Sequence, residues 1–167
     1  GRRMKVLRHE VLPDADAAAR RAAAVIAGHA QAAIAERGRF VVALSGGNTP
    51  SAMLRWLAGE DIDWRKVFVA QVDERLAPLG SQHRNMTQLR GRLLDETALP
   101  ADQVLAMPVE RADLTDAARD YLHRLGVIAG MPPVLDLIHL GLGEDGHTAS
   151  LVPDDPAAAV VDADIAL

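Results

Sequence analysis

Cysteine is absent from the 167 residues, which excludes disulfides, a thiolate nucleophile and cysteine-ligated metal. Aromatic side chains make up only 3% of the chain, so a core has to be assembled mostly from Ala, Val, Leu and Ile. No apolar run approaches the ~20 residues that a bilayer-spanning helix needs, and no charged stretch followed by an apolar one opens the chain as a secretion signal would. A cytoplasmic location with no membrane partner is the expectation. Basic residues are in deficit as well: 18 Lys and Arg against 23 Asp and Glu leave a formal net charge of −5. Nucleic-acid binders ordinarily carry a basic face, so nucleic acid is not an expected partner. The same deficit removes long-range steering of an anionic substrate. A phosphate would have to be held by local dipoles and cations.

What is present suits one globular domain over residues 1–167, with 49% hydrophobic residues for a core,. "MKVLRHEV" (4–11) reads as a short first strand. An Ala-rich helix follows to Arg37, with acids in its first turn and Gly38 beyond its end. "RFVVALS" (39–45) is a Val-rich, non-alternating run of the kind a parallel sheet buries on both faces. "TPSAMLRWLAG" (49–59) predicts a helix capped by Thr49, with Pro50 first and Gly59 closing it. "KVFVAQVDE" (66–74) predicts a strand, "RNMTQLRGRLLDE" (84–96) a helix, and "QVLAMP" (103–108) a short strand. "LTDAARDYLHRLGVIAG" (114–130) predicts a helix ending at Gly130, and "PVLDLIHLGLG" (133–143) a last strand. Strands alternating with helices predict a three-layer α/β domain with a mostly parallel sheet.

Ligands of such sheets bind at the carboxyl ends of the strands, and three of those ends carry unusual residues. "ALSGGNTP" (43–50) turns through Gly46 and Gly47 towards a helix start, where backbone N–H groups and the positive helix end favour an anion. Ser45, Asn48 and Thr49 add polar side chains. An ordinary βα turn is the bland alternative, and neither the Walker pattern nor the dinucleotide fingerprint is present. "VDERLAPLGSQHRN" (72–85) sets Asp73, Glu74 and Arg75 at a strand end. A carboxylate there can grip sugar hydroxyls and a guanidinium can pair with phosphate; a surface ion pair is the alternative. Asn85 opens the next helix and either caps it or meets ligand, while His83 reads as a solvated loop residue. "LGLGEDGHTASL" (140–151) leaves its strand through Gly141, Gly143 and Gly146 and projects His147 beyond the sheet edge. Asp145 can bond one ring nitrogen and leave the other as a base. His139, inside the strand, is assigned to packing.

These three motifs, in this order, resemble the 6-phosphogluconolactonase family within the glucosamine-6-phosphate deaminase-like superfamily. The deaminases are similar in the "SGG" loop and a "DGH" turn, but resemble "DEY" where this chain has "DER" and "IAFNEP" where it has "TASLVP". Arg75 and "HTASLVP" (147–153) therefore favour the lactonase branch. The resemblance implies a modified Rossmann-like α/β/α fold and hydrolysis of 6-phosphoglucono-δ-lactone to 6-phosphogluconate in the oxidative pentose phosphate pathway, with no metal and no organic cofactor. Carried over by position, His147 is the general base and Asp145 orients it. The Ser45–Thr49 loop (Ser45, Gly46, Gly47, Asn48, Thr49) and Arg75 hold phosphate or sugar oxygens, and Asp73 and Asn85 meet hydroxyls. Backbone N–H groups of Gly143 and Gly146 are added here as candidate oxyanion donors. Family members are longer, and this sequence stops at "DADIAL", before a segment that usually brings another strand and a further basic residue. A domain lacking its C-terminal part, monomeric or weakly self-associating, is the expectation.

Three other readings compete. "ALSGG" approaches a serine nucleophile elbow, but Ala43 stands where that motif has glycine and the helix is delayed. A phosphosugar deaminase or isomerase on the same scaffold would use Asp73 to move a proton. A sugar-phosphate sensor would keep the anion loop and do no chemistry, and would have no need of a titratable group at 147.

Overall fold

The computed structural model describes residues 8–167. The first strand expected over 4–11 falls largely outside the described residues, and residues 8–11 carry no regular structure. Helix α1 spans Ala15–Arg37. Its start is set by Asp14, whose carboxylate accepts the Ala17 N–H at 2.7 Å, and its end by Gly38, which takes the left-handed φ of 76° and returns its N–H to Ile34,. Ala19, Ala23, Ile26, Ala27, Ala30 and Ala33 form its buried stripe at helical spacing,. Small side chains on that stripe let α1 lie close to the next helix.

Strand β1 (Phe40–Leu44) is buried at every residue. Beyond it α2 runs Asn48–Ala58, β2 Val67–Gln71, α3 Asn85–Arg92, β3 Val104–Leu105, α4 Leu114–Ala129 and β4 Leu137–Ile138. The sheet order is β3-β2-β1-β4, and every pairing is parallel, with Phe40 opposite Val67 through Leu44 opposite Gln71. Alternation along β1 and β2 assigns the two faces. Phe40, Val42, Leu44, Val67 and Val69 share one core with residues of α1, α2 and α3. Val41, Ala43, Ala70 and Leu105 meet Tyr121, Leu125 and Ala129 of α4 on the other. The three-layer α/β/α order expected from the alternation is therefore observed.

Two expectations need correction. Helix α2 starts one residue before Thr49, and its cap is Gly47, at φ 109° with no side-chain cap bond. That conformation is readily open only to glycine, so the chain swings straight into the helix and Pro50 sits within the first turn, where its missing N–H costs nothing. The last strand is two residues long rather than spanning most of 133–143. Its start is occupied by Asp136, whose carboxylate accepts the Val41 N–H at 2.8 Å while also pairing with Arg37 at 2.6 Å. Beyond Ile138 one more ladder bond, His139 N–H to Ala43 at 2.9 Å, precedes the glycines.

Because the sheet is parallel, β1, β2 and β4 deliver their carboxyl ends to one edge. The turns following these three strands are the three that carry the unusual residues.

Candidate active site

The turn after β4 is built around one histidine. His147 Nδ1 lies 2.5 Å from Asp145 Oδ1, and the same oxygen accepts the His147 backbone N–H at 3.1 Å. These two donors hold the Asp145 carboxyl below its ordinary range, the backbone bond contributing most. A carboxylate only accepts, so Nδ1 is the donor in this contact and Nε2 is not engaged by Asp145. The ring is 36% exposed, half-buried rather than packed inside.

Gly143 makes this arrangement possible. A Cβ at 143 would stand 2.2 Å from both Cε1 and Nδ1 of His147 and 2.9 Å from Asp145 Oδ1, so any side chain there would collide with the ring. Gly146 takes a φ of 88°, the left-handed bend that reverses the chain before the histidine. The expectation that these two glycines offer oxyanion donors is not met in this arrangement. The Gly143 N–H donates to the His147 carbonyl at 2.8 Å and the Gly146 N–H to the Gly143 carbonyl at 3.0 Å. Their contribution is space and curvature.

The turn after β1 places Gly46 and Gly47 at the opening of α2, with Asn48 and Thr49 as its first two residues; the side chains of those two lie outside the described ones. The Gly47 N–H donates to Gln88 Oε1 at 2.8 Å, which ties this turn to α3. Ser45 is 3% exposed and its hydroxyl donates to the His139 carbonyl at 3.0 Å. It joins the ends of β1 and β4, and does not stand free as either a nucleophile or a ligand. The serine-hydrolase reading loses its nucleophile.

At the end of β2, Asp73 lies between two neighbours. Its Oδ1 accepts from Asn85 Nδ2 at 3.1 Å and its Oδ2 from Ser150 Oγ at 2.5 Å. Asn85 is 5% exposed and also donates to the Asp73 carbonyl, so it supports the turn and is not displayed to solvent. Arg75 is exposed, and no ion pair to its guanidinium occurs among the described residues. Among the described residues it is the candidate cation at this edge that is not committed to a carboxylate. His83 is exposed, as expected. His139 is half-buried, and burial pushes its imidazole down.

Several supporting residues escaped the sequence reading. The Glu74 side chain is fully buried, 0% exposed. Burial alone would raise its pKa, but bonds from the Gln71 side chain and from the N–H groups of Arg75, Met86 and Asn85 outweigh it and hold the carboxyl below its ordinary range. It therefore caps α3, to which the residues before the helix contribute no cap. Arg84, 2% exposed, lies 3.2 Å from Glu74 and 2.7 Å from Glu110, and donates to the Ala77 carbonyl. A charged residue in a polar loop reads as solvated. Nothing in the spacing of Glu74, Arg84 and Glu110 marks the first two as a buried pair with the half-exposed Glu110 at its rim.

Two open grooves of roughly 400 and 450 Å³ lie between α2 and α3, with Gly91 and Arg92 in the walls of both. The His147 turn lines neither. Among the described residues no group of three or more His, Asp or Glu side chains is arranged to hold a metal ion, and no helix is long and apolar enough to cross a membrane.

The chain is a three-layer α/β domain with a histidine–aspartate pair and a glycine turn at one parallel-sheet edge, and comparison with known proteins identifies its family. The family model described as glucosamine-6-phosphate isomerases/6-phosphogluconolactonase matches residues 13–167, and the chain belongs to that family. A 6-phosphogluconolactonase of Synechocystis is 42% identical over 134 residues, covering 78% of this chain and 56% of its own. One of Nostoc is 35% identical over 157 residues, covering 92% and 65%. The solved structure of the Trypanosoma brucei 6-phosphogluconolactonase superposes with a TM-score of 0.77 at 26% identity, over 89% of this chain and 64% of that one. The chain thus spans between half and two thirds of the length of these relatives.

Proposed function

We propose that this chain carries the catalytic edge of a 6-phosphogluconolactonase, hydrolysing 6-phosphoglucono-δ-lactone to 6-phosphogluconate. The observation that carries the reading is the His147–Asp145 pair, with Nδ1 engaged and Nε2 left as the base. In the first step Nε2 takes a proton from water as the water oxygen bonds to the lactone carbonyl carbon. Asp145, ionised beside it, stabilises the imidazolium that forms. In the second step the tetrahedral intermediate reforms its carbonyl, the bond to the ring oxygen breaks, and the imidazolium returns the proton to that oxygen. Base catalysis of this kind is typically worth ~10²–10⁴ in rate, enough for an ester already strained in a ring.

The phosphate end is assigned to the Gly46–Gly47 turn, the amino end of α2 and Arg75, where helix dipole and guanidinium act together. The relatives' names support a phosphorylated lactone as the substrate, and the difference at Arg75 from the deaminase branch favours Arg75 as its partner. A deaminase or isomerase would need Asp73 free to move a proton, and both of its oxygens already accept hydrogen bonds. No step above calls on a metal or an organic cofactor.

The test is hydrolysis of freshly generated 6-phosphoglucono-δ-lactone, read as product formation by a coupled dehydrogenase after subtraction of the spontaneous rate. Turnover of the phosphorylated lactone well above that of unphosphorylated glucono-δ-lactone is expected. Equal rates with and without protein would sink the reading.

A further inference from the structure

We propose that Ser150 is a positioning residue, clamping the catalytic turn to the far side of the site through Asp73. In its catalytic half this rests on the function proposed above. Ser150 Oγ donates to Asp73 Oδ2 across 77 residues of sequence. Asp73 follows β2, Ser150 belongs to the turn after β4, and β1 lies between those strands in the sheet. The bond therefore reaches over the end of β1. It continues into the body of the protein, because Asp73 Oδ1 is held by Asn85, and Asn85 fills the space where a Cβ at Gly46 would stand, 2.4 Å from its Oδ1. One contiguous chain, Gly46–Asn85–Asp73–Ser150, joins all three turns.

The backbone between the histidine and the serine gives the clamp something to do. Ala149 has a φ of 51°, a left-handed conformation that a side chain adopts only when the surroundings impose it. The anchors on either side are Thr148, whose Oγ1 donates to the Gly141 carbonyl at 2.7 Å, and Ser150. Thr148 fixes the turn to itself. Of these two side chains, only Ser150 fixes it to another strand end. Without that bond the segment from His147 onwards can relax at Ala149, and the ring moves with it.

The experiment compares the parent chain with Ser150→Ala, Ser150→Thr, Asp73→Ala and the double variant, by NMR backbone order parameters over 145–151 and by kcat and KM on the lactone. Rigid backbone gives order parameters of about 0.85 and flexible backbone falls below about 0.6. Ser150→Ala is expected to take the turn from the first regime towards the second. It should lower kcat about tenfold with KM held within about twofold, less than the ~100-fold of a 1 Å misplacement, because Thr148 remains. Ser150→Thr, which keeps the hydroxyl, should restore both, and in the Asp73→Ala background the serine substitution should change neither. Unchanged order in Ser150→Ala, or an equal effect with Asp73 already removed, overturns the clamp. A parent chain with no turnover overturns the functional reading instead, and the order parameters alone then decide for or against the clamp.

Discussion

Replacing Gly143 by alanine tests the site at its tightest point. The backbone at 143 does not lie in the left-handed region, so alanine fits the main chain, and the obstacles are the His147 imidazole and the Asp145 carboxylate beside it. A methyl there would sit 2.2 Å from Cε1 and Nδ1 of His147, whereas ordinary contact begins at 3.4 Å. The ring, or the turn carrying it, has to retreat by about 1 Å. Since Asp145 Oδ1 is also within 2.9 Å of the new methyl, the ring cannot simply slide along its hydrogen bond. A displacement of that size costs ~10²-fold in a reaction that depends on alignment. Folding should not suffer: the turn is largely exposed, and glycine-to-alanine changes at compatible positions stabilise by about 0.4–1 kcal/mol through the unfolded chain. Gly143→Ala is thus expected to lose ~100-fold in kcat with little change in KM, and to unfold in urea at or slightly above the parent midpoint. Activity within about threefold of the parent, set against that ~100-fold expectation, would refute the reasoning, as it would mean the ring does not work from this position.

Other perturbations probe the frame that carries the site. The Tyr121 hydroxyl accepts the Gln71 N–H at 2.9 Å and donates to the Gln71 carbonyl at 3.0 Å, and burial pushes its phenol up to about 12. Tyr121→Phe leaves two buried backbone groups without this partner and should cost about 1–3 kcal/mol in urea unfolding; no loss would contradict the bonding described. Glu74 has a folded pKa below its ordinary 4.5, so the stability it contributes is present above that value and lost as pH falls through the lower one. Urea midpoints for the parent and Glu74→Gln measured from pH 7 to pH 3 should therefore converge as the pH drops, and a constant gap would show that Glu74 is not the titrating group.

The fold was legible where the chemistry is local. Gly38 ends α1 by its left-handed backbone, as read, and the Val-rich runs at 40–44 and 67–71 are buried strands as expected, whereas the cap at Asp14 was read only as acids in the first turn. The boundary at Thr49 was misread because a Ser/Thr–Pro pair is a good helix start, and nothing in the string reveals that Gly47 supplies the turn itself. The geometry of the histidine turn was legible for a comparable reason: glycines on both sides of an acid and one imidazole predict a sharp bend that brings the acid onto the ring. The supports were not. That Ser45 bonds to His139, that Asn85 backs Gly46, and that Asp73 is spanned by Ser150 are consequences of strand order, which brings residues 45, 73, 85 and 150 to one edge. Charges such as Arg84 and Glu74 look solvated in sequence, and only their long-range partners make burial tolerable.

The central claim is that one imidazole nitrogen at the sheet edge moves the proton. His147→Gln tests it most directly: hydrolysis of freshly generated 6-phosphoglucono-δ-lactone and binding of the product 6-phosphogluconate are measured on the same preparation. The account predicts a fall of ~10²–10⁴ in kcat with product affinity essentially kept, since it assigns the phosphate to the Gly46–Gly47 turn and Arg75. Turnover surviving within a few-fold of the parent would contradict it.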